Sequence, residues 1–80
     1  MYDLRIREVK IKDYILEKIE IKHGLLEEDI WQLLINDNPL YFHTRKKRYV
    51  AIGWIGTYLT TIFELKGDRA EIITSYPASK

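Results

Sequence analysis

The sequence contains no cysteine and only two histidines in 80 residues. Without thiols the chain can form neither a disulfide framework nor a thiolate metal site, and two histidines are too few to predict a stable zinc site. We therefore expect no metal and no other cofactor. Gly-rich phosphate loops, GxSxG nucleophile elbows and Ser/His/Asp constellations are missing too. Catalytic motifs alone thus give no identification.

Long apolar runs are also missing. No segment approaches the roughly 18 apolar residues that indicate a membrane-spanning helix. Residues 1–13, MYDLRIREVKIKD, carry frequent charges and lack the apolar core of a signal peptide. We therefore expect a cytoplasmic protein that does not associate with membranes. The length and the composition, 46% hydrophobic and 31% charged, predict one soluble domain over residues 1–80.

The net charge of +1 conceals an asymmetry between the two halves of the chain. Residues 1–40 carry six Lys/Arg against nine Asp/Glu, a net charge of −3, whereas residues 41–80 carry seven against three, a net charge of +4. A basic surface in the second half could face an anionic partner. A total of +1 is nevertheless modest for a dedicated nucleic-acid-binding protein.

The first half of the sequence predicts one strand and two helices. Alternating apolar and charged residues indicate a strand near residues 3–11. Asp13 is a candidate N-cap and Gly24 a candidate left-handed C-cap, so we predict a first helix over residues 13–23. Acidic residues at 27–29 and an apolar stripe from Ile30 to Ile35 predict a second helix over 26–37, which Pro39 would end.

From Leu40 onward the pattern has the period of two that is typical of strands. Four strands are predicted, with the sequences LYFHT, RYVAIGWI, TYLTTIFEL and AEIITSY, and the breaks fall at Arg45–Lys47, at Gly56 and at residues 66–68. Because the connections are short, the four strands must form an antiparallel meander. The order β-α-α-β-β-β-β predicts an α+β fold in which two helices pack on one face of this sheet.

The segment HTRKKRYVAIG at residues 43–53 has two interpretations. A Lys/Arg-rich hairpin tip is most often a solvated turn that also protects a sheet edge. Alternatively, Arg45, Lys46 and Lys47 contact RNA phosphates, with Arg48 beside a base that stacks on Tyr49. Such contacts would position RNA without reading its sequence.

The histidines and the other aromatic residues are similarly ambiguous. His23 could complement the dipole of the first helix or act as a general acid or base. His43 could be an exposed strand residue or a catalytic one. Sheet packing accounts for most of the strand tyrosines, and Trp31 and Trp54 suit a core or a subunit interface. Glu64, Asp68 and Glu71 show no spacing that indicates a paired-carboxylate site.

Several short segments resemble the BrnT-type toxins of bacterial and archaeal toxin–antitoxin pairs, in the wider group of RelE/ParE-like ribonucleases. The resemblance begins at Ile19 and covers about three quarters of the chain. Lys22-His23-Gly24 before an acidic helix resembles the family's KHG segment, and Asn36-Asp37-Asn38-Pro39 resembles its Asp-Pro after that helix. Arg48 to Gly53 is similar to its Arg-to-Gly strand, and residues 72–75, IITS, are similar to its closing Ile-Ile-Ser strand.

The resemblance implies a RelE-like fold and a metal-independent endoribonuclease that cleaves mRNA and inhibits translation. In this superfamily the RNA 2′-hydroxyl attacks the adjacent phosphate, so the protein supplies proton transfer and positive charge. Lys22 and His23 would transfer protons or contact phosphate, and Arg48 would stabilise the developing charge. The remaining candidates for RNA binding are Arg45, Lys46, Lys47, Tyr49, Arg69 and Tyr76.

Two departures from the family pattern motivate a second hypothesis. Glu71 precedes the two isoleucines where the family has a basic residue, and Tyr76 stands where an arginine would fall. Both changes weaken an anion site, so the alternative is a protein-binding module of the same fold that does not cleave RNA. Under either hypothesis the implied partners are a cognate antitoxin and RNA, free or on the ribosome. An 80-residue core with two tryptophans also allows a homodimer.

Overall fold

A computed structural model describes residues 6–36 and 39–77. Its helical elements are α1 (Asp13–His23) and α2 (Glu27–Trp31), and α2 continues as a π-helical turn (Gln32–Asn36). The strands are β1 (Glu8–Lys10), β2 (Leu40–Arg45), β3 (Arg48–Trp54), β4 (Tyr58–Lys66) and β5 (Arg69–Pro77). This order confirms the α+β class that the sequence predicts.

Helix α1 has the predicted bounds, but its first turn differs from the prediction. Lys12, with an extended backbone, occupies the N-cap position, and no side chain caps the helix there. Asp13 is the first helical residue, where its charge still complements the helix dipole. Gly24 ends the helix with φ 67°, and its N–H donates to the Glu20 carbonyl at 2.8 Å. The predicted left-handed C-cap is therefore confirmed.

The second helix begins one residue later than predicted and changes its geometry midway. The Leu26 N–H donates to the Asp29 carboxylate at 2.9 Å, so a side chain satisfies a donor at the helix start. The α-helical part ends at Trp31 and the π-helical turn extends to Asn36. The last predicted residue of this helix, at 37, and the first three residues of the predicted N-terminal strand, at 3–5, lie outside the described residues.

The sheet has the strand order β1-β5-β4-β3-β2. Strands β2 to β5 form the predicted antiparallel meander. The N-terminal strand joins this sheet by pairing in parallel with β5, with Glu8 opposite Arg69 and Lys10 opposite Glu71. The sheet is therefore five-stranded and mixed, whereas the sequence predicts four antiparallel strands. A parallel neighbour was not foreseeable from local patterns because it depends on a crossover through both helices.

Side chains of alternate residues divide the sheet into two faces. The core face carries buried residues from four strands, including Val9, Ala51, Phe63 and Ile72. The π-helical turn lies against this face, since a Cβ placed on Gly53 would be 2.5 Å from Leu33 Cδ1. The same face holds a buried hydroxyl pair between Thr61 and Ser75, at 2.8 Å.

The opposite face of the sheet, here called the open face, carries the alternate side chains of the same strands. Arg48, Glu64 and Glu71 belong to it at one end, and Trp54, Tyr58 and Tyr76 at the other. Helix α1 packs mainly against β5. Within residues 6–36 and 39–77, no helix is long and apolar enough to cross a membrane.

Candidate nucleic-acid interface

A row of five charged residues crosses the open face from one edge of the sheet to the other. The strand register places Arg45 opposite Arg48, Arg48 opposite Glu64, and Glu64 opposite Glu71. Lys10 of β1 is opposite Glu71 and completes the row. Directly paired residues have Cβ atoms about 5 Å apart and share a face. We call this row the charged row. It has cations at both edges and two carboxylates in the middle.

A cavity of about 380 Å³ lies between the charged row and α1. The sheet contributes Arg48, both carboxylates and Lys10, while Lys12, Lys18 and the exposed Tyr14 come from α1 and the residue before it. Its remaining lining residues are Ile15, Ile19, Ile72, Ile73 and Thr74. The four cations exceed the two carboxylates by two charges, and together with the Tyr14 ring they suit a phosphate-bearing ligand with a stacking base.

Two cations neutralise the carboxylate of Glu71. Lys66 Nζ lies 3.4 Å from Glu71 Oε1, and Arg69 Nη2 lies 3.1 Å from Glu71 Oε2. Desolvation by burial acts to raise the pKa of Glu71, but the hydrogen bond from Lys66 and the charges of Lys66, Arg69 and Lys10 outweigh it and lower the pKa below 4.5. Glu71 is thus ionised at neutral pH, and Arg69 is engaged with it.

Arg48 is a half-buried cation of the charged row with a donor that has no acceptor among the described residues. This donor is Nε, which is shielded from solvent. A buried donor without a partner is costly. An anion in the cavity would supply the missing acceptor.

The basic turn at Lys46 and Lys47 is held by three local hydrogen bonds. His43 Nε2 contacts the Lys46 carbonyl, which requires the proton on that nitrogen. The Thr44 hydroxyl donates to the Arg48 carbonyl at 3.1 Å, and the Leu65 N–H donates to the Lys47 carbonyl at 2.8 Å. The side chains of Arg45, Lys46 and Lys47 remain exposed. His43 therefore has a structural role here, while the three cations are free to contact a polyanion.

Tyr49 does not lie beside Arg48 on the open face. It pairs with Phe63 on the core face, and the two rings stack with centroids 5.9 Å apart. Successive strand residues point to opposite faces, which separates this ring from the guanidinium that precedes it. Tyr49 is half-buried, so the structure places it in the core rather than in the cavity.

Lys22 and His23 lie outside the cavity, in the last turn of α1. The His23 ring is 6.4 Å from the Tyr76 ring, so two predicted site residues do come together. Four residues of strand and two strand spacings separate Arg48 from Tyr76, which corresponds to roughly 16 Å between their Cα atoms. The predicted site residues therefore form two groups, one at Arg48 and one at the end of α1.

Five charged residues of the cavity were not selected from the sequence as site residues. They are Lys10, Lys12, Lys18, Glu64 and Glu71. The pairing of the two carboxylates could have been predicted from the sequence. Glu64 and Glu71 are equally far from the centre of a two-residue turn at Gly67-Asp68, so they lie opposite each other in the hairpin. The lysines have no such sequence signal, since the position of Lys10 depends on the parallel pairing of β1 with β5, and the positions of Lys12 and Lys18 depend on how α1 packs on the sheet. No group of three potential metal-ligating side chains occurs among the described residues.

No protein-family model and no curated protein matches the sequence. A crystal structure at 1.1 Å resolution, of the Brucella abortus ribonuclease toxin BrnT, matches with a TM-score of 0.76 at 22% sequence identity. The alignment covers 91% of this chain and 97% of that chain. This chain therefore has the fold of BrnT, as the sequence resemblance implied.

Proposed function

We propose that the protein is the toxin of a toxin–antitoxin pair, a metal-independent endoribonuclease that cleaves mRNA in the cytoplasm and so inhibits translation. The observation that carries this proposal is the coincidence of the BrnT fold with a cavity that four cations line. Fold alone supports many functions. A cationic cavity on the exposed side of the sheet adds a place where RNA can bind.

RNA binds across the charged row with a phosphate at Arg48. Its planar guanidinium can donate two parallel hydrogen bonds to phosphate oxygens, and Nε lacks another acceptor among the described residues. Lys18 and Lys12 approach from the α1 side, and Arg45 extends the cationic surface to the sheet edge. These contacts recognise the backbone, so they predict little sequence preference.

Cleavage proceeds by attack of the 2′-hydroxyl on its own phosphate. The 2′-oxygen forms a bond to phosphorus as it loses its proton, the bond from phosphorus to the 5′-oxygen breaks, and that oxygen takes up a proton. Arg48 stabilises the charge that develops on the phosphate. Glu64, the direct neighbour of Arg48 in the row, is placed to accept the first proton.

Lys22 and His23 form a second candidate group at the end of α1. The Cα atoms of Arg48 and of Tyr76, which His23 approaches, lie roughly 16 Å apart, so we treat the two groups as separate contacts to RNA. We assign the reacting phosphate to Arg48, and the flanking nucleotides to Lys22 and His23. His23 exposes an imidazole, the side chain that most often serves as a general acid or base, so the reverse assignment is the outcome that must be tested.

The test is cleavage of purified mRNA, with and without translating ribosomes. Arg48→Ala and Glu64→Gln should each reduce the rate constant by about 10²-fold or more, the scale for removing a transition-state contact. His23→Ala and Lys22→Ala should raise KM with a smaller effect on kcat. If His23→Ala abolishes cleavage and Arg48→Ala does not, the reaction centre is the end of α1. Intact RNA in both assays would reject the ribonuclease.

One observation favours a second candidate, a module of the same fold that binds a protein and does not cleave. Glu71 already forms ion pairs with Lys66 and Arg69, so two cations of the open face are engaged with a carboxylate in the absence of RNA. Expression in bacteria without growth arrest, together with a stable protein complex recovered from the cells, would support this candidate. Growth arrest that a small protein from a neighbouring reading frame relieves would support the toxin.

A further inference from the structure

The open face changes character along its strands. Beyond the charged row, the register aligns apolar residues in rows, with Phe42, Val50 and Ile62 in the first and Leu40 and Ile52 in the second. Trp54 and Tyr58 pair at the far end, with ring centroids 5.0 Å apart. We call this area the apolar patch; its members are Leu40, Phe42, Val50, Ile52, Trp54, Tyr58, Ile62 and Tyr76.

The apolar patch concentrates the exposed apolar surface of the described residues. Among all described residues, eight large apolar side chains are exposed. Five of these belong to the patch: Leu40, Phe42, Trp54, Tyr58 and Tyr76. Trp54 is 60% exposed and Phe42 49%. Single exposed apolar residues are ordinary, whereas a contiguous exposed patch marks an interaction site. Trp and Tyr are also the residues that most often dominate binding energy at protein interfaces.

The charges around the patch define its partner. One end meets the exposed cations Arg45, Lys46 and Lys47 of the basic turn, beside Arg48. Nucleic acid would suit that end but not the rows of apolar residues, which offer no charge to a phosphate. A protein segment with an apolar stripe and a cluster of carboxylates at one end matches both parts.

We propose that the apolar patch binds an amphipathic helix of a partner protein, with its acidic end on the basic turn. This identification of the partner's chemistry rests on the proposed toxin function, in which the partner is the antitoxin. Six residues of β3 separate Trp54 from Arg48, roughly 20 Å, which a helix of about 13 residues spans. Carboxylates on Arg45 and Arg48 would occupy the cations that hold RNA, so partner binding and RNA binding exclude each other.

The test uses a synthetic peptide as the probe. It has about 14 residues, leucine and tryptophan at helical spacing, three glutamates at one end, and a side-chain staple because isolated helices of this length are marginal. One control peptide carries lysine in place of glutamate, and a second has the stripe scrambled. Binding is measured by fluorescence anisotropy on the full chain.

Phe42→Glu and Trp54→Glu should each weaken peptide binding by about ten-fold or more, since a charge would be buried in the apolar contact. Ile21→Glu is the matched control, because Ile21 is 78% exposed on α1 and lies outside the patch. The lysine peptide should bind more weakly than the glutamate peptide at low salt. No binding to the wild type, or equal binding to all variants, would overturn the proposal.

Two further results would assign the patch to another occupant and also overturn the proposal. One is a wild-type dimer in sedimentation that Phe42→Glu converts to monomer. The other is binding to phosphatidylserine vesicles that Trp54→Glu abolishes. RNA cleavage separates this proposal from the proposed function: Phe42→Glu and Trp54→Glu should cleave RNA normally. Peptide binding without RNA cleavage would reject the ribonuclease and leave the partner surface standing.

Discussion

Neutralising Glu71 should strengthen RNA binding. Glu71 lies in the charged row, and the lowered pKa keeps it ionised at neutral pH, so it repels a phosphate on the same face. It also engages Lys66 and Arg69, both of which could otherwise contact RNA. Glu71→Gln removes the charge and nearly preserves the shape.

The strand register gives the distance that determines how much the affinity for RNA increases. Glu71 is two strands from Arg48, so a phosphate at Arg48 lies roughly 10 Å from the carboxylate. Removing one unit charge at that distance increases the binding constant about 2-fold at the dielectric constant of water and about 15-fold at an effective value of 20. The row is partly exposed, so we expect a result nearer the lower figure. Salt should suppress this gain in the binding constant above roughly 0.1 M, where the Debye length is shorter than about 10 Å.

The assay is anisotropy with a 2′-O-methyl RNA oligonucleotide, which lacks the attacking hydroxyl, at about 0.01 M salt where the Debye length is about 30 Å. Glu28→Gln is the matched control, since it changes the net charge equally from the exposed surface of α2. If both variants gain equally, affinity follows net charge and the charged row is not the RNA site. A weaker affinity in Glu71→Gln would mean that the carboxylate helps to position the cations.

Three further predictions concern stability and are measured by urea unfolding. Gly53→Ala should destabilise the fold by about 1–3 kcal/mol, because the new methyl group would lie 2.5 Å from Leu33 Cδ1; an unchanged midpoint would contradict this packing. Phe63→Ala removes a fully buried ring and should cost about 3–5 kcal/mol, whereas Phe42→Ala on the open face should cost far less. Glu71 has a lowered folded-state pKa, so its contribution to stability is complete above its unfolded value near 4.5 and is lost as the pH falls through the folded value. Glu71→Gln should therefore flatten the acid limb of the stability curve, and an unaltered limb would refute the ion pairing.

Helix and strand bounds were largely predictable because the local signals are strong. Gly24 ends α1 since only a residue that tolerates φ 67° suits that cap. The short breaks at 46–47 and 67–68 forced antiparallel pairing. The prediction that Asp13 is the N-cap of α1 was wrong, because the preceding Lys12 already adopts the extended backbone of an N-cap. The π-helical turn has no sequence signal of its own and reflects packing.

The site was less predictable than the fold because it depends on which residues lie opposite one another. Arg48 lines the cavity, while the ring of Tyr49 lies on the core face because alternation along a strand separates the two side chains. The pairing of Glu64 with Glu71 follows from the turn length and could have been derived. The position of Lys10 beside Glu71 could not have been derived, because only the parallel pairing of β1 with β5 brings the two residues together.

That parallel pairing determines when the molecule becomes complete during synthesis. The residues that pair with β1 are about 60 residues later in the chain, and closing so long a loop is costly in entropy. The intervening hairpins can form as soon as they leave the ribosome, whereas β1 cannot pair until β5 has been made. Lys10 reaches its side of the cavity only at that point. A nascent chain therefore carries an unfinished anion site until its final strand has left the ribosome.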